Sequence, residues 1–290
     1  CLIQTPLSGV GTYTLNLLNT IFVQDDKNEY FIFCNSKKET DLQIIQKNNV
    51  HLVYTHYPNK IFNLLIKLNL IKLDRYTIKN YLRHNKNEGQ IKYLDYWFSP
   101  NFNFTALSKD CRHILTVHDL SFELYPNFYT LKQRFWHYFL NPKKQCRQAH
   151  LILAQSNSTK YDLISLYKMP EEKIKVIYPG IPKILNNTEF DWQKYLHNHN
   201  LKTDFILFLG ANEPRKNILG ILQAYEILCA QKDADFKNKY QLVIAGAKGW
   251  KSKDLENKIS KSLDIKLLPN ISDVEKSALL KNASVLIYPS

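Results

Sequence analysis

Two adjacent cations, Arg215 and Lys216, stand just beyond the apolar run Phe205, Ile206, Leu207, Phe208 and Leu209, with Gly210-Ala211-Asn212-Glu213-Pro214 between. Arginine offers a planar fork and lysine a compact charge, so the pair suits a diphosphate. Five apolar residues in a row predict a central strand covered on both faces, and Gly210 lets the backbone turn at its end. The periodic run Ile218, Leu219, Ile221, Leu222, Tyr225, Ile227, Leu228 predicts a following helix whose N-terminal amides and dipole also favour an anion. Ordinary solvation of both cations is the competing explanation.

Three other features carry chemistry. In Leu115-Thr116-Val117-His118-Asp119 a histidine closes an apolar strand, where it can donate to or accept from a substrate hydroxyl near neutral pH. In Ser8-Gly9-Val10-Gly11-Thr12-Tyr13 two glycines open a helix and allow a ligand close to the backbone; a plain tight turn would look the same. As a dinucleotide fingerprint it is weak, because Thr14 stands at the third glycine position and the second strand ends at Cys34-Asn35 without an acidic residue for a ribose. Gln241 to Ala245 followed by Gly246, Ala247, Lys248, Gly249 and Trp250 shows only that a strand turns. A literal Asp-x-Asp at Asp233 and Asp235 lies in a polar loop beside Lys232 and Lys237, and a solvated turn explains it better than a metal site.

The elements that must position these groups follow a βα rhythm. Strands are predicted at 30–34, 50–54, 93–98, 113–117, 151–155 and 175–178, then at 205–209, 241–245, 265–268 and 285–288. Residues 178–204, with Pro179, Gly180, Pro182, Asn186 and Asn187, have the texture of a linker holding a short helix. The expected architecture is α/β: two doubly wound parallel-sheet domains, 1–183 and 184–290, facing a cleft. The chain opens on Cys1 and reaches its Gly-rich loop after eight residues, so part of the first strand is expected to be missing. It stops at Ser290, directly after an apolar run, so the second domain is expected to be incomplete.

Composition bounds the rest. With 290 residues, 44% apolar, the chain exceeds the roughly 100–200 residues of one typical domain. Cys1, Cys34, Cys111, Cys146 and Cys229 are odd in number and lack Cys-x-x-Cys spacing, which predicts a reducing compartment and no structural zinc. Without an apolar run long enough for a membrane span or a secretory leader, the chain is placed in the cytosol. The net charge of +13 is uneven: residues 1–183 carry 24 Lys and Arg against 14 Asp and Glu, residues 184–290 carry 15 against 12. The densest part, residues 60–92, mixes Lys60, Lys67, Lys72, Arg75, Lys79, Arg83, Lys86 and Lys92 with Ile61, Phe62, Leu64, Leu65, Leu68 and Ile71. That suits a helix on the anionic inner face of a membrane, or an ordinary amphipathic helix with a solvated basic face. No nucleic-acid motif accompanies the charge.

Taken in order, Ser8 to Tyr13, Ser99-Pro100-Asn101-Phe102, His118 to Phe122, Ser156-Asn157-Ser158, Val176 to Gly180, Gly210 to Asn217, Ala245-Gly246, Ile271-Ser272-Asp273 and Ala283 to Ser290 resemble retaining GT-B glycosyltransferases of group 1, also called family 4, over essentially the whole chain. Within that group the chain looks most like mannosyltransferases of bacterial polysaccharides, lipopolysaccharide included. The resemblance implies transfer of a hexose, with a lean to mannose, from a nucleotide-diphosphate sugar to a glycan or lipid-linked acceptor, without metal or other cofactor. It implies that Arg215 and Lys216 hold the diphosphate, that His118 contacts the transferring sugar, and that Gly9, Gly11, Gly210, Glu213 and Ile271 bind the donor, Ile271 near the base. The family's donor segment, Glu-Gly-Phe-Gly with a second Glu, normally follows a Tyr-Pro-Ser such as Tyr288-Pro289-Ser290, so this chain is expected to bind donor poorly or not at all. The rival expectations are a nucleotide-sugar epimerase of the same fold, an NAD-dependent oxidoreductase, and a non-catalytic membrane-surface protein.

Overall fold

The computed structural model describes residues 7–36, 42–85, 91–180, 190–232, 234–247, 259 and 264–289. The chain divides into two compact units, Cys1–Pro182 and Lys183–Ser290. In the first, the elements are α1 (Gly9–Gln24), β1 (Tyr30–Asn35), β2 (Val50–Thr55), α2 (Asn59–Lys67), α3 (Leu73–His84), β3 (Tyr96–Ser99), β4 (Arg112–Val117), α4 (Ser121–Leu124), α5 (Leu131–Leu140), α6 (Pro142–Gln148), β5 (Leu151–Ala154), α7 (Asn157–Tyr167) and β6 (Ile174–Val176). The second holds α8 (Trp192–His199), β7 (Asp204–Leu209), α9 (Ile218–Gln231), α10 (Ala234–Lys239), β8 (Tyr240–Gly246), β9 (Ile265–Pro269), α11 (Asp273–Asn282) and β10 (Val285–Leu286).

Among the described residues every strand pairing is parallel, in a four-stranded sheet β3-β4-β5-β6, a pair β1-β2, and a four-stranded sheet β10-β7-β8-β9. The second unit shows why its strands read as continuous apolar runs. Phe205, Leu207, Val243 and Ala245 point to one face and pack with Tyr195 of α8 and Leu279 of α11. Their neighbours Phe208, Leu242 and Ile244 point to the other and meet Ile218, Ile221, Leu222 and Tyr225 of α9. Alternate side chains of the same strands thus fill two separate cores, the mark of a doubly wound sheet.

Several sequence expectations are corrected at their edges. β3 starts at Tyr96, three residues late, and its ladder is entered by the Arg112 amide donating to the Asp95 carbonyl at 2.8 Å. β6 ends at Val176 and β10 at Leu286, each two residues early. Along α9, Leu219 and Ile227 are exposed, so the buried stripe is the narrower Ile218, Ile221, Leu222, Tyr225. The basic stretch 60–92 is not one surface helix: α2 and α3 are separate, and Leu73, Ile78 and Tyr81 turn α3 into the core. The expected first strand, Asp233 and Asp235, and residues 248–250 lie outside the residues or side chains described. No helix among the described residues is long and apolar enough to cross a membrane.

His113, near the start of β4, is buried with its Nε2 2.9 Å from Ser99 Oγ. Burial first, then the nearby His150 and Lys173, lower its pKa from 6.5 to about 4. Between those values the unfolded chain takes up a proton that the native one refuses, so stability present above pH 6.5 is lost as pH falls towards 4. The expected loss is about 3 kcal/mol from this group. Denaturant titrations at pH 7 and pH 4.5 should show part of that loss in the parent chain and a smaller one in His113→Asn.

Candidate active site

In the first unit, β4 delivers His118 to the carboxyl edge of the sheet, where the chain leaves the ladder. Its Nε2 lies 2.9 Å from the Pro100 carbonyl oxygen, just past the end of β3, and the Tyr13 ring meets the imidazole edge-on at 5.0 Å. A carbonyl can only accept, so Nε2 carries the proton and the neutral ring presents Nδ1 as an acceptor. Burial lowers the His118 pKa, opposed by the weaker pull of the Pro100 carbonyl and Asp119, which favours that neutral form. Asp119 does not hold the imidazole: its Oδ1 accepts from the Ser121 amide at 2.9 Å and from the Ser121 hydroxyl, fastening the turn into α4. Thr159 of α7 donates its hydroxyl to the His118 carbonyl at 3.0 Å, which pins the backbone.

Tyr13 sits in the first turns of α1, so the Gly-rich start of that helix adjoins His118. The two glycines differ. Gly11 is buried and its amide donates to Ser8 Oγ at 3.1 Å, whereas a side chain at Gly9 would meet nothing within 4 Å. Gly9 therefore has open space against it. Asn35 is committed elsewhere, its amide accepting from Thr55 and the Tyr57 backbone and donating to the Tyr57 carbonyl and Asn59. It has no capacity left for a ribose, which removes the dinucleotide reading on physical grounds.

In the second unit the sheet order reverses between β7 and β10: β8 and β9 follow β7 on one side, while β10 returns to its other side. Ligands of open α/β sheets collect at such switch points. The residues after β7 and β10 meet there. Lys216 is buried, its Nζ bonded to the Tyr288 hydroxyl and 4.3 Å from the centre of the Tyr288 ring, which stacks on Phe208. No carboxylate pairs with Lys216 among the described residues. Arg215 donates Nε to Glu213 Oε2 at 2.7 Å, so Glu213 fixes where the guanidinium points. Asn217, left-handed at φ 50, starts α9 without a side-chain cap.

Gly210 and Gly246 explain each other. The Gly210 amide donates to the Ala245 carbonyl at 2.9 Å, and a Cβ on Gly246 would lie 2.2 Å from the Gly210 oxygen, at φ +138. The backbones of the two strand ends cross so closely that only glycine fits. Gly246→Ala should cost about 3 kcal/mol or more from strain and clash together, read as a fall in thermal midpoint. Ile271, between left-handed Asn270 and the Ser272 cap of α11, packs its side chain on the α8-side core, leaving its backbone at the same carboxyl edge.

The structure thus gathers Gly9, Gly11 and His118 in the first unit, and Gly210, Glu213, Arg215, Lys216 and Ile271 along one sheet edge of the second. Sequence reasoning missed Pro100 as the partner of His118, Tyr288 as the cover of Lys216, and the Gly210–Gly246 crossing.

The family model described as Glycosyltransferase Family 4 matches residues 7–183, and that described as Glycosyl transferases group 1 matches residues 191–290. The chain belongs to the group 1, family 4 glycosyltransferases. It is 24% identical over 305 aligned residues to the O-antigen chain mannosyltransferase B of Escherichia coli, covering 99% of this chain and 74% of that one. Among solved structures it resembles WaaG, a glycosyltransferase involved in lipopolysaccharide biosynthesis, with TM-score 0.60 and 14% identity over 99% of this chain and 73% of that one. A glycosyltransferase from Rickettsia africae gives TM-score 0.59 and 15% identity over 98% and 71%. These likenesses fix the GT-B fold, built of two Rossmann-like units. For a glycosyltransferase, the buried cation at the switch point and the acceptor nitrogen of His118 are groups of the right kind: one for a departing phosphate, one for a sugar hydroxyl.

Proposed function

We propose that this glycosyltransferase moves a hexose, mannose, from a nucleotide-diphosphate sugar to a glycan or lipid-linked acceptor with retention of configuration, in the synthesis of a cell-surface polysaccharide such as lipopolysaccharide. The observation that carries the reading is Lys216, a buried ammonium without a carboxylate, placed at the switch point beside Arg215 and the uncapped start of α9. Preorganised positive charge in a dry site stabilises the negative charge that develops on a leaving nucleoside diphosphate, and it does so without a metal. The mannosyltransferase relative supports the choice of sugar. A structural neighbour bound to UDP-glucose, HepE of Anabaena at TM-score 0.51, supports the class of donor. Gly9, Gly11, Gly210, Glu213 and Ile271 complete the donor contacts, and His118 accepts a hydrogen bond from a hydroxyl of the transferring sugar.

The test is to incubate the whole protein with GDP-mannose or UDP-glucose and a lipid-linked or glycan acceptor, with a chelator present, and to determine the anomeric configuration of the product. Acceptor-dependent transfer of mannose with retention, undiminished by the chelator, is the expected result. Inversion, a metal requirement, or glucose as the sugar transferred would each remove that part of the proposal. Conversion of the nucleotide sugar in the absence of acceptor would replace it with an epimerase.

A further inference from the structure

The first unit holds a basic cleft at the end of its sheet away from His118. About 540 Å³ in volume, a size usual for small-molecule sites, it opens where the chain enters β4 and β5 rather than where it leaves them. Cys111, His113 and His150 line that end, and from His113 to His118 the strand runs roughly 17 Å. The floor is apolar: Ile66, Phe104 and Leu140 are buried in one core, with the partly buried Phe139 packed against it. Chemistry at the carboxyl edge of the sheet leaves this cleft without a task.

Four ammonium groups border it, those of Lys67, Lys72, Lys109 and Lys144, and its described lining includes no carboxylate. Among the described residues none of the four pairs with an acid. Lys67 Nζ sits 2.9 Å above the Phe139 ring, and Lys72 Nζ donates to Asn69 Oδ1 at 2.6 Å, so neutral partners fix where two of the charges stand without cancelling them. Two acids near the lining are turned elsewhere. Buried Asp74 accepts from the Ser108 amide at 2.9 Å and from the Ser108 hydroxyl, and Asp110 lies 4.0 Å from Arg75. His150 adds a directed donor. Its amide donates to the His113 carbonyl at 2.8 Å and its Nδ1 accepts from the His113 amide at 3.1 Å, so the residue is held and the neutral ring carries its proton on Nε2. Like charges left unneutralised around a concave wall focus a positive potential, and the groups that relieve it are anions.

We propose that this cleft binds a small organic phosphate carrying two or more negative charges, a nucleotide or a sugar bisphosphate, with its phosphates between the lysines and His150 Nε2 and its ring on the floor of Phe104, Phe139 and Leu140. The site shares no residue with the one assigned to the donor, and it does not depend on which sugar is transferred. Its ligand ties together the turn after α2, the approach to β4 and the turn from α5 to α6, three segments whose lysines otherwise repel one another. Binding therefore stabilises the fold.

Equilibrium dialysis of the whole protein against radiolabelled ADP and fructose 1,6-bisphosphate, without donor or acceptor, tests it. At least one probe is expected to bind with Kd below about 1 mM at low salt, more weakly as salt is added, and to raise the thermal midpoint. A nucleotide site prefers ADP, a sugar-phosphate site the bisphosphate. Lys109→Glu with Lys144→Glu should weaken that binding at least about tenfold, and Lys109→Arg with Lys144→Arg should retain most of it. Lys216→Met, which probes the donor site, should leave the binding in place, and the glutamate pair should transfer sugar as the parent does when no probe is added. Binding of neither probe, binding unmoved by the glutamate pair, or binding abolished by Lys216→Met would overturn the proposal. So would a glutamate pair that loses only attachment to phosphatidylglycerol vesicles, which would make these lysines a lipid contact.

Discussion

Lys216→Met is expected to lower kcat/KM for sugar transfer by about 10²–10³-fold while leaving the fold intact or slightly more stable. The two signs belong together. A buried ammonium loses hydration, and the Tyr288 hydroxyl and ring return only part of it, the ring by about 2 kcal/mol at most favourable. An apolar side chain of similar length removes that cost, which is why stability does not fall. A phosphate arriving beside Lys216 supplies the missing partner, and the interaction grows as the leaving group gains charge, so the loss falls on kcat as well as on donor binding. Glu213→Gln, which keeps an acceptor for Arg215 Nε but loses the charge that strengthens the 2.7 Å bond, should cost about tenfold, because it loosens Arg215 without removing its charge. Kinetics on the whole protein, with calorimetric titration of nucleoside diphosphate, check both. Transfer by Lys216→Met within about threefold of the parent would end the assignment of this residue to the leaving group.

Much of this architecture was legible because buried parallel strands advertise themselves. Residues 205–209 and 241–245 are apolar at every position or nearly so, since both faces of their sheet are covered, and Gly210 with Arg215 and Lys216 could be placed at a strand end from spacing alone. What the chain did not announce depends on neighbours far away in sequence. The order β10-β7-β8-β9 is a matter of long-range pairing, so the switch point beside Lys216 could not be seen, nor could Tyr288 be known to cover it. Gly246 looked like a simple turn because the backbone it must admit belongs to Gly210, 36 positions earlier in the numbering. A basic, apolar run such as 60–92 has the same composition whether its leucines face lipid or core. Only packing shows that α3 is buried through Leu73, Ile78 and Tyr81 while α2 buries Phe62 and Ile66 and leaves Ile61 and Leu64 exposed.

His118→Ala is expected to lower transfer by about 10²-fold or more, and two gentler substitutions tell why. The parent ring donates from Nε2 to the Pro100 carbonyl and offers Nδ1 as an acceptor. Asparagine places an amide oxygen near the Nδ1 position and keeps an acceptor there. Glutamine reaches towards Pro100 and keeps only the structural bond. If a sugar hydroxyl donates to Nδ1, His118→Asn should retain much more activity than His118→Gln; the reverse order would mean that the histidine serves only to brace the Pro100 loop. The pH profile gives an independent reading. Because burial lowers the His118 pKa below 6.5, the ring stays neutral at pH 7, and protonation, which destroys the Nδ1 acceptor, sets in only at lower pH. Activity should therefore fall on an acid limb below pH 6.5 in the parent chain, and that limb should be absent from His118→Asn, which has nothing to titrate at the site. An acid limb unchanged by the substitution would assign the titration to another group and leave His118 without a part in sugar recognition.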